Sequence, residues 1–253
     1  MNRRALAVYS AAALAFLHLP LLVLVAFSFN NGRFTVWEGV SLHWYREAFA
    51  DRQLSEGLAN SLIIALVAAP LSTFIGTLAA YGMWKRRAQV LSGTLYLSLV
   101  TPEIVTGVSL LALFQWTFRF LRLPLGLHTV IVAHVAFSIA YVAIVISARL
   151  RNYDRSLEEA AMDLGASEWG AFLRVTLPIL APAIAAAGLL SLVVSFDDYV
   201  ITSLVAGVDS ETLPMAIYAM ARRGVSPVVN AVSALIVVAF GLLILISQRL
   251  QNK

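Results

Sequence analysis

Three acidic side chains stand where the sequence is otherwise apolar: Glu103, Asp197 and Asp198. A carboxylate within a bilayer is costly and marks either a pathway or a paired contact. No Lys or Arg shares the two apolar runs that hold them, 93–118 and 179–205, so the chemistry they offer is attraction of a cation or an organic amine. Ser191, Ser195, Asp198 and Thr202 follow one another at i, i+4, i+7 and i+11, a helical stripe suited to lining water, while Asp197 joins Leu190, Val194 and Ile201 on an apolar side. This spacing assigns Asp198, with Ser195 and Thr202, to a pathway and Asp197 to a structural partner. Glu103 follows Pro102, and a helix break beside an acid is a binding-site cue. The helical rise puts Glu103 about 15 Å into its run, near the bilayer midplane, and the aspartates about 21–23 Å up. His134, Ser138 and Tyr141 form a second stripe at i, i+4 and i+7, which reads as a helix–helix contact.

Other chemistries lack their residues. The only lysines are Lys85, after Trp84, and Lys253, after Asn252, so no Gly-Lys-Ser/Thr cradle exists for nucleotide phosphates. The four histidines form no His-Glu-x-x-His pair, no Gly-x-Ser-x-Gly elbow occurs, and there is no cysteine. The expectation is a non-catalytic chain with no metal site and no cofactor of its own.

The elements that position these acids follow from composition. Of 253 residues, 60% are hydrophobic and 13% charged, with mean hydropathy +0.83; a soluble domain has about 25% charged residues. Most of the surface must face lipid. A span needs roughly 20 helical residues, and six runs qualify, near 7–29, 57–83, 93–118, 127–150, 179–205 and 228–247. The first exceeds a signal-peptide core of roughly 7–15 residues and reads as a retained helix. With the N-terminus inside, the inner segments carry Arg3, Arg4, Lys85, Arg86, Arg87, Arg149, Arg151, Arg155, Arg174, Arg249 and Lys253, 11 of 18 basic residues. The outer ones carry Arg33, Arg46, Arg52, Arg119, Arg122, Arg222 and Arg223, so the bias places both termini in the cytoplasm. The net charge of +4 is spread in short clusters without a continuous basic face, which excludes a nucleic-acid partner. On the outer side, 30–56 contains a short surface helix in SLHWYREAF, with Ser41 as N-cap and Leu42, Tyr45 and Phe49 on one side.

The inner segment 149–178 holds five acids. Leu157, Ala160, Ala161 and Leu164 repeat at helical spacing, with Glu158, Glu159 and Asp163 on the polar side. Gly165 is expected to stop that helix as its C′ residue, Ser167 to cap a second short helix through Phe172 and Leu173, and Pro178 to begin the next span. The expected form is two short helices at an angle, with an exposed apolar ridge.

Glu159-Ala160-Ala161, three residues, Gly165, nine residues, then Val175-Thr176-Leu177-Pro178 resembles the E-A-A-x3-G-x9-I-x-L-P loop of ABC importer permeases, with Val175 for Ile as the one departure. The segments RFTVWEGVSLHWY, SLVTPEIV, SFDDYVITSLVAG and TLPMAIYAMARRGVSPVVNA are similar to the spermidine/putrescine importer permeases, in particular their second permease subunit. That resemblance implies an all-α integral membrane fold of six transmembrane helices, the type I ABC importer permease (MetI-like) fold, as one permease domain over 1–253 in the bacterial inner membrane. It implies a homologous permease partner, two ATP-binding subunits that hold ATP and Mg, and an extracytoplasmic binding protein delivering a polyamine. It also implies that Glu159, Ala160, Ala161, Asp163, Leu164, Gly165, Ala166 and Pro178, within 151–178, dock on the ATPase. Related permeases carry aminophosphonates, other amines or ferric iron, and these remain alternative ligands; a passive cation channel is a further alternative, disfavoured by the docking loop.

Overall fold

The computed structural model describes residues 3–33, 36–86, 89–121, 123–224 and 226–251. The side chains of Arg3, Arg87, Arg119, Arg122, Arg249 and Lys253, which enter the charge count, lie outside the described residues, as do Phe34, Thr35 and Val225 of the quoted segments. The described chain is helical throughout: α1 (Arg3–Ser28), α2 (His43–Ala50), α3 (Arg52–Arg86), α4 (Gln89–Val100), α5 (Glu103–Leu121), α6 (Leu127–Leu150), α7 (Ser156–Asp163), α8 (Glu168–Ala171), a π-helical turn (Phe172–Thr176), α9 (Leu177–Asp197), α10 (Val200–Val205), α11 (Leu213–Arg223) and α12 (Pro227–Gln251). Extended pairing among the described residues is one isolated bridge, Asn30 with Val40.

Four helices are long and apolar enough to cross a bilayer, Arg4–Ser28, Arg52–Arg86, Leu127–Leu150 and Glu168–Asp197. The bent pair α4 and α5 supplies a fifth, and the apolar stretch Pro227–Leu242 of α12 accounts for the remaining run. These elements are consistent with the six runs expected, with two changes. The third run is bent by 108° between α4 and α5, so the straight-helix depth for Glu103 does not apply. The fifth begins at Glu168, not 179, and its regular helix ends at Asp197.

The chain forms two compact units, Met1–Ser55 with Ala216–Lys253, and Glu56–Met215. In the first, α12 packs against α1 and α2. The loop after α1 is organised by Asn30, whose side chain donates to the Val36 carbonyl (2.8 Å) and accepts from Glu38 N–H (2.8 Å). Its carbonyl accepts from the Trp44 indole at 2.8 Å. That bond anchors α2 by the face that holds Trp44 and Ala48, which are buried, while Leu42 and Phe49 are exposed. Ser41 Oγ accepts from His43 N–H at 3.0 Å, one residue ahead of the assigned cap.

In the second unit α6 is central. It is the most buried of the spans, with buried residues on several sides as a surrounded helix has, and packs against α4, α5, α9 and α10. One core joins Ile64, Phe114, Val130, Ala133, Phe137, Ile201 and Val205. A second joins Ala80, Val142, Ala143, Ile146, Leu150, Leu180 and Ala187. Burying such side chains contributes about 1.5–3 kcal/mol each in water, whereas in lipid it is close packing that holds them. The loop after α10 closes on the start of α6: Thr129 Oγ1 donates to the Val205 carbonyl at 2.6 Å. A Cβ on Gly207 would fall 1.7 Å from the Leu125 carbonyl oxygen, so only glycine fits there.

Candidate functional site

Two helix breaks face one cavity. At the first, Pro102 has no N–H to continue α4, and the preceding Thr101 is disfavoured in the helical region. The chain turns, and the Pro102 carbonyl accepts from Val105 N–H (2.9 Å) and Thr106 N–H (3.1 Å) to start α5. At the second, Asp198 is extended (φ −67°, ψ 126°) and ends α9. Its carboxylate then starts α10: Oδ2 accepts from Thr202 N–H and Thr202 Oγ1, both at 2.8 Å, and Oδ1 from Ile201 N–H at 3.4 Å. An aspartate in this position satisfies amides that a new helix leaves open.

Between the breaks lies a cavity of 450 Å³ whose lining includes Glu103, Asp197, Asp198, Tyr141, Phe137 and Tyr199. It contains all three carboxylates singled out from the sequence and, among the described residues, no Lys, Arg or His. The volume is within the range of about 300–1,000 Å³ usual for small-molecule sites. Glu103 and Asp197 are exposed to it.

The aspartates occupy environments opposite to those expected from helical spacing. Because the helix breaks after Asp197, residues 191, 195, 198 and 202 do not form one continuous stripe. Asp197 is the exposed carboxylate, and Asp198 is the one with internal partners, its side chain only 7% accessible. Ser191, Ser195 and Thr202 are buried and serve helix contacts: Ser191 meets Ser72 of α3 at 2.8 Å, while Ser195 and Thr202 meet His134.

His134 is the residue that spacing undervalued. Its ring is buried, with Nδ1 2.7 Å from Ser195 Oγ and Nε2 2.9 Å from Thr202 Oγ1. Nε2 is also 3.5 Å from Asp198 Oδ2. Thr202 commits its hydroxyl proton to Asp198, so the ring donates to Thr202 through Nε2–H, and in the neutral imidazole Nδ1 accepts from Ser195. The order Ser195, His134, Thr202, Asp198 is thus a directed chain of hydrogen bonds from α9 through α6 to α10, ending at the cavity wall. The expected stripe of His134, Ser138 and Tyr141 divides accordingly: Tyr141 lines the cavity, and Ser138 Oγ is buried without a hydrogen-bond partner among the described residues. The polar i, i+4, i+7 pattern was the available signal, and its reading as a helix–helix contact holds for His134.

The acidic loop matches much of its expected form. Gly165, at φ +91°, follows α7 in the left-handed region. Its N–H donates to the Met162 carbonyl (2.9 Å), and Ala166 N–H to that of Ala161 (3.0 Å), the paired bonds of a Schellman ending. Ser167 Oγ accepts from Gly170 N–H at 3.1 Å and caps α8. Leu164 (91% accessible), Leu157 and Trp169 form the exposed ridge, and Ala160, Glu159 and Asp163 are exposed beside it. Asp154 Oδ1 accepts from Ser156 N–H at 3.0 Å, and this bond holds its carboxyl below the usual carboxylate range.

Two features differ. The second short helix does not stand apart: α8 runs through the π-helical turn into α9, with Pro178 in the first turn of α9, as one 30-residue helix. Glu158 is not on the solvent side with Glu159 and Asp163. It is 2% accessible, accepts a short hydrogen bond from Thr176 Oγ1, and lies 3.7 Å from Lys85 Nζ. Glu158 lies at i with the half-buried Ala161 and Met162 at i+3 and i+4, the inward side of α7, so Ala161, expected on the ridge, turns inward beside it, and that periodicity could have revealed the burial.

Comparison with known proteins places this geometry. Residues 72–253 match the family described as binding-protein-dependent transport system inner membrane component. The putrescine transport system permease protein PotI of Escherichia coli is 42% identical over 234 residues, 90% of this chain and 83% of that protein. The spermidine/putrescine transport system permease protein PotC of Haemophilus influenzae is 38% identical over 243 residues, 94% and 93% of the two chains. Among solved structures, a bacterial ABC transporter that imports the acidic polysaccharide alginate has a chain with TM-score 0.71 at 17% identity, covering 98% of both chains. The inward-facing MetNI methionine ABC transporter has one with TM-score 0.66 at 19% identity, covering 78% of this chain and 94% of that one. These last two share the fold. The chain therefore belongs to the binding-protein-dependent transport system inner membrane component family, the multi-pass helical permeases of ABC importers, and is a transport component rather than an enzyme.

Proposed function

We propose that this permease carries a polyamine, putrescine or spermidine, or a similar organic cation, across the bacterial inner membrane by alternating access. The observation that carries the reading is the cavity between the two helix breaks, with three carboxylates, aromatic walls and, among the described residues, no basic group. Glu103 and Asp197 are the carboxylates that meet the ammonium groups, and the aromatic rings of Tyr141, Tyr199 and Phe137 suit both those cations and the apolar methylenes between them. Asp198, backed by Thr202, His134 and Ser195, adds negative charge from the wall and holds the break open. The polyamine permeases among its relatives, at 42% and 38% identity, support the same substrate class. The alginate importer shares this fold, so it is the lining and not the fold that argues for a cation.

In this reading both termini face the cytoplasm, in line with the basic-residue bias. A homologous permease completes the pathway, and an extracytoplasmic binding protein delivers the substrate. Two ATP-binding subunits, which bind ATP and Mg, grip the loop at 151–178 through Glu159, Ala160, Ala161, Asp163, Leu164, Gly165 and Ala166, with Pro178 beginning the span that the loop drives. ATP-driven closure moves this loop and opens the cavity outward. Uptake of labelled putrescine and spermidine by cells with and without this chain, the partner genes being present, tests the proposal. Loss on deletion and rescue by the wild type are expected; equal uptake in both strains would move the substrate to another ligand class.

A further inference from the structure

The loop at 151–178 contains one acid that surface chemistry does not explain. Burying a carboxylate costs several kcal/mol unless it is paired and hydrogen-bonded. Glu158 is 2% accessible, in a loop where the side chains of Glu159 and Glu168 are 62% and 75% accessible. Its partners come from separate elements. One oxygen accepts from Thr176, the last residue of the π-helical turn, and the other lies 3.7 Å from Lys85 Nζ near the end of α3. With the Thr176 proton given to Glu158, Tyr153 donates to Thr176 Oγ1 at 3.1 Å. Lys85 also lies 3.6 Å from Glu168 Oε1 on α8 and 3.5 Å from the Tyr81 hydroxyl. Arg155, at the start of α7, stacks over Trp84 of α3 at 5.3 Å. A single lysine thus joins both short helices to α3, and a single glutamate joins α7 to the root of α9. The widened turn at 172–176 supplies one of these contacts, and turns of this kind recur at functional sites.

We propose that Lys85 and Glu158 form a rigid joint that makes α7, α8, the end of α3 and the root of α9 move as one body, so that both are positioning residues for coupling ATP hydrolysis to transport. The proposal rests on the reading that this loop docks on the ATPase. The exposed ridge, Leu164 and Leu157, meets the partner; the buried joint beneath it passes the displacement to two spans at once. Without it the ridge still binds, but α7 pivots at Gly165 and the spans lag behind.

The test uses the complete importer in proteoliposomes, reading ATPase retention, ATP hydrolysis and substrate transported per ATP. The wild type must retain the ATPase; if it does not, the docking reading fails and this proposal fails with it. Lys85→Met and Glu158→Gln are expected to retain the ATPase and continue hydrolysis while transport per ATP falls at least about tenfold, a usual size for coupling between sites. Lys85→Arg, which keeps the charge, should recover most of the ratio. A ratio within about twofold of wild type in Glu158→Gln, with the ATPase bound, overturns the joint and leaves docking standing. Because the chain has no cysteine, Lys85→Cys with Glu158→Cys can be bridged by a short thiol-reactive linker. A joint that stays rigid through the cycle continues to transport when bridged; transport blocked with the ATPase still bound overturns the proposal.

Discussion

Asp197 provides a direct test of how the cavity holds its cation. Its carboxylate is exposed to the cavity, and among the described residues no hydrogen bond or ion pair engages it, so Asp197→Asn removes a charge while leaving the packing in place. An ammonium at about 4 Å from a carboxylate gains roughly 4 kcal/mol at an effective dielectric constant near 20 and roughly 1 kcal/mol in bulk water. Asp197 lies between these limits because it is open to solvent, so about 2 kcal/mol is the working value after screening. At 1.36 kcal/mol per tenfold change, this is about a 30-fold loss of apparent affinity. Glu103→Gln is expected to behave alike, and the double variant to lose more than either alone, since a polyamine meets both charges. The assay is concentration-dependent uptake of labelled putrescine into proteoliposomes containing the complete importer, normalised to permease content. An apparent affinity within about twofold of wild type for Asp197→Asn, with normal incorporation, would refute the assignment.

Asp198→Ala should instead reduce folded permease, because it strips the α10 cap, worth about 1 kcal/mol, and orphans buried donors at about 1–3 kcal/mol each; melting in detergent reads this, and Asp198→Asn, which can still cap, should melt nearer the wild type. His134→Ala leaves Ser195 and Thr202 without their ring partner, and the same measurement should show a loss of about 2–4 kcal/mol. Gly207→Ala forces a methyl into the Leu125 carbonyl and should cost about 3 kcal/mol, seen as low accumulation at normal transcript levels. Gly165→Ala strains a left-handed C′ position at about 1 kcal/mol, and retention of the ATPase on purification should fall. The lowered carboxyl of Asp154 stabilises the start of α7 fully above the ordinary carboxylate value; that support is lost as pH falls through the lowered one. Hydrogen exchange in α7 should therefore quicken under strongly acid conditions in the wild type, and show no such transition in Asp154→Asn.

Six apolar runs, the acids within them and the docking-type loop were legible because each rests on a local rule. A span needs an unbroken apolar length, a glycine ends a helix through its own backbone freedom, and a serine caps within three residues. Gly165 and Ser167 stand where those rules put them. Pro102 and Glu103 were read as a break beside an acid, and they form one.

What the sequence determined alone is therefore the helical membrane class, the approximate spans, the acidic interior and the shape of the loop up to Ser167. The tertiary structure decided which acid faces space and which is locked. Helical spacing assumed that 191–202 is one helix, whereas the break at Asp198 depends on Thr202 and on His134, 64 positions earlier in the chain. It likewise decided the fate of Glu158, whose burial depends on Lys85, 73 positions away. Propensity and periodicity describe interactions within a few residues; the partners that set the environment of a charge come from other helices, and only the packed fold brings them to it.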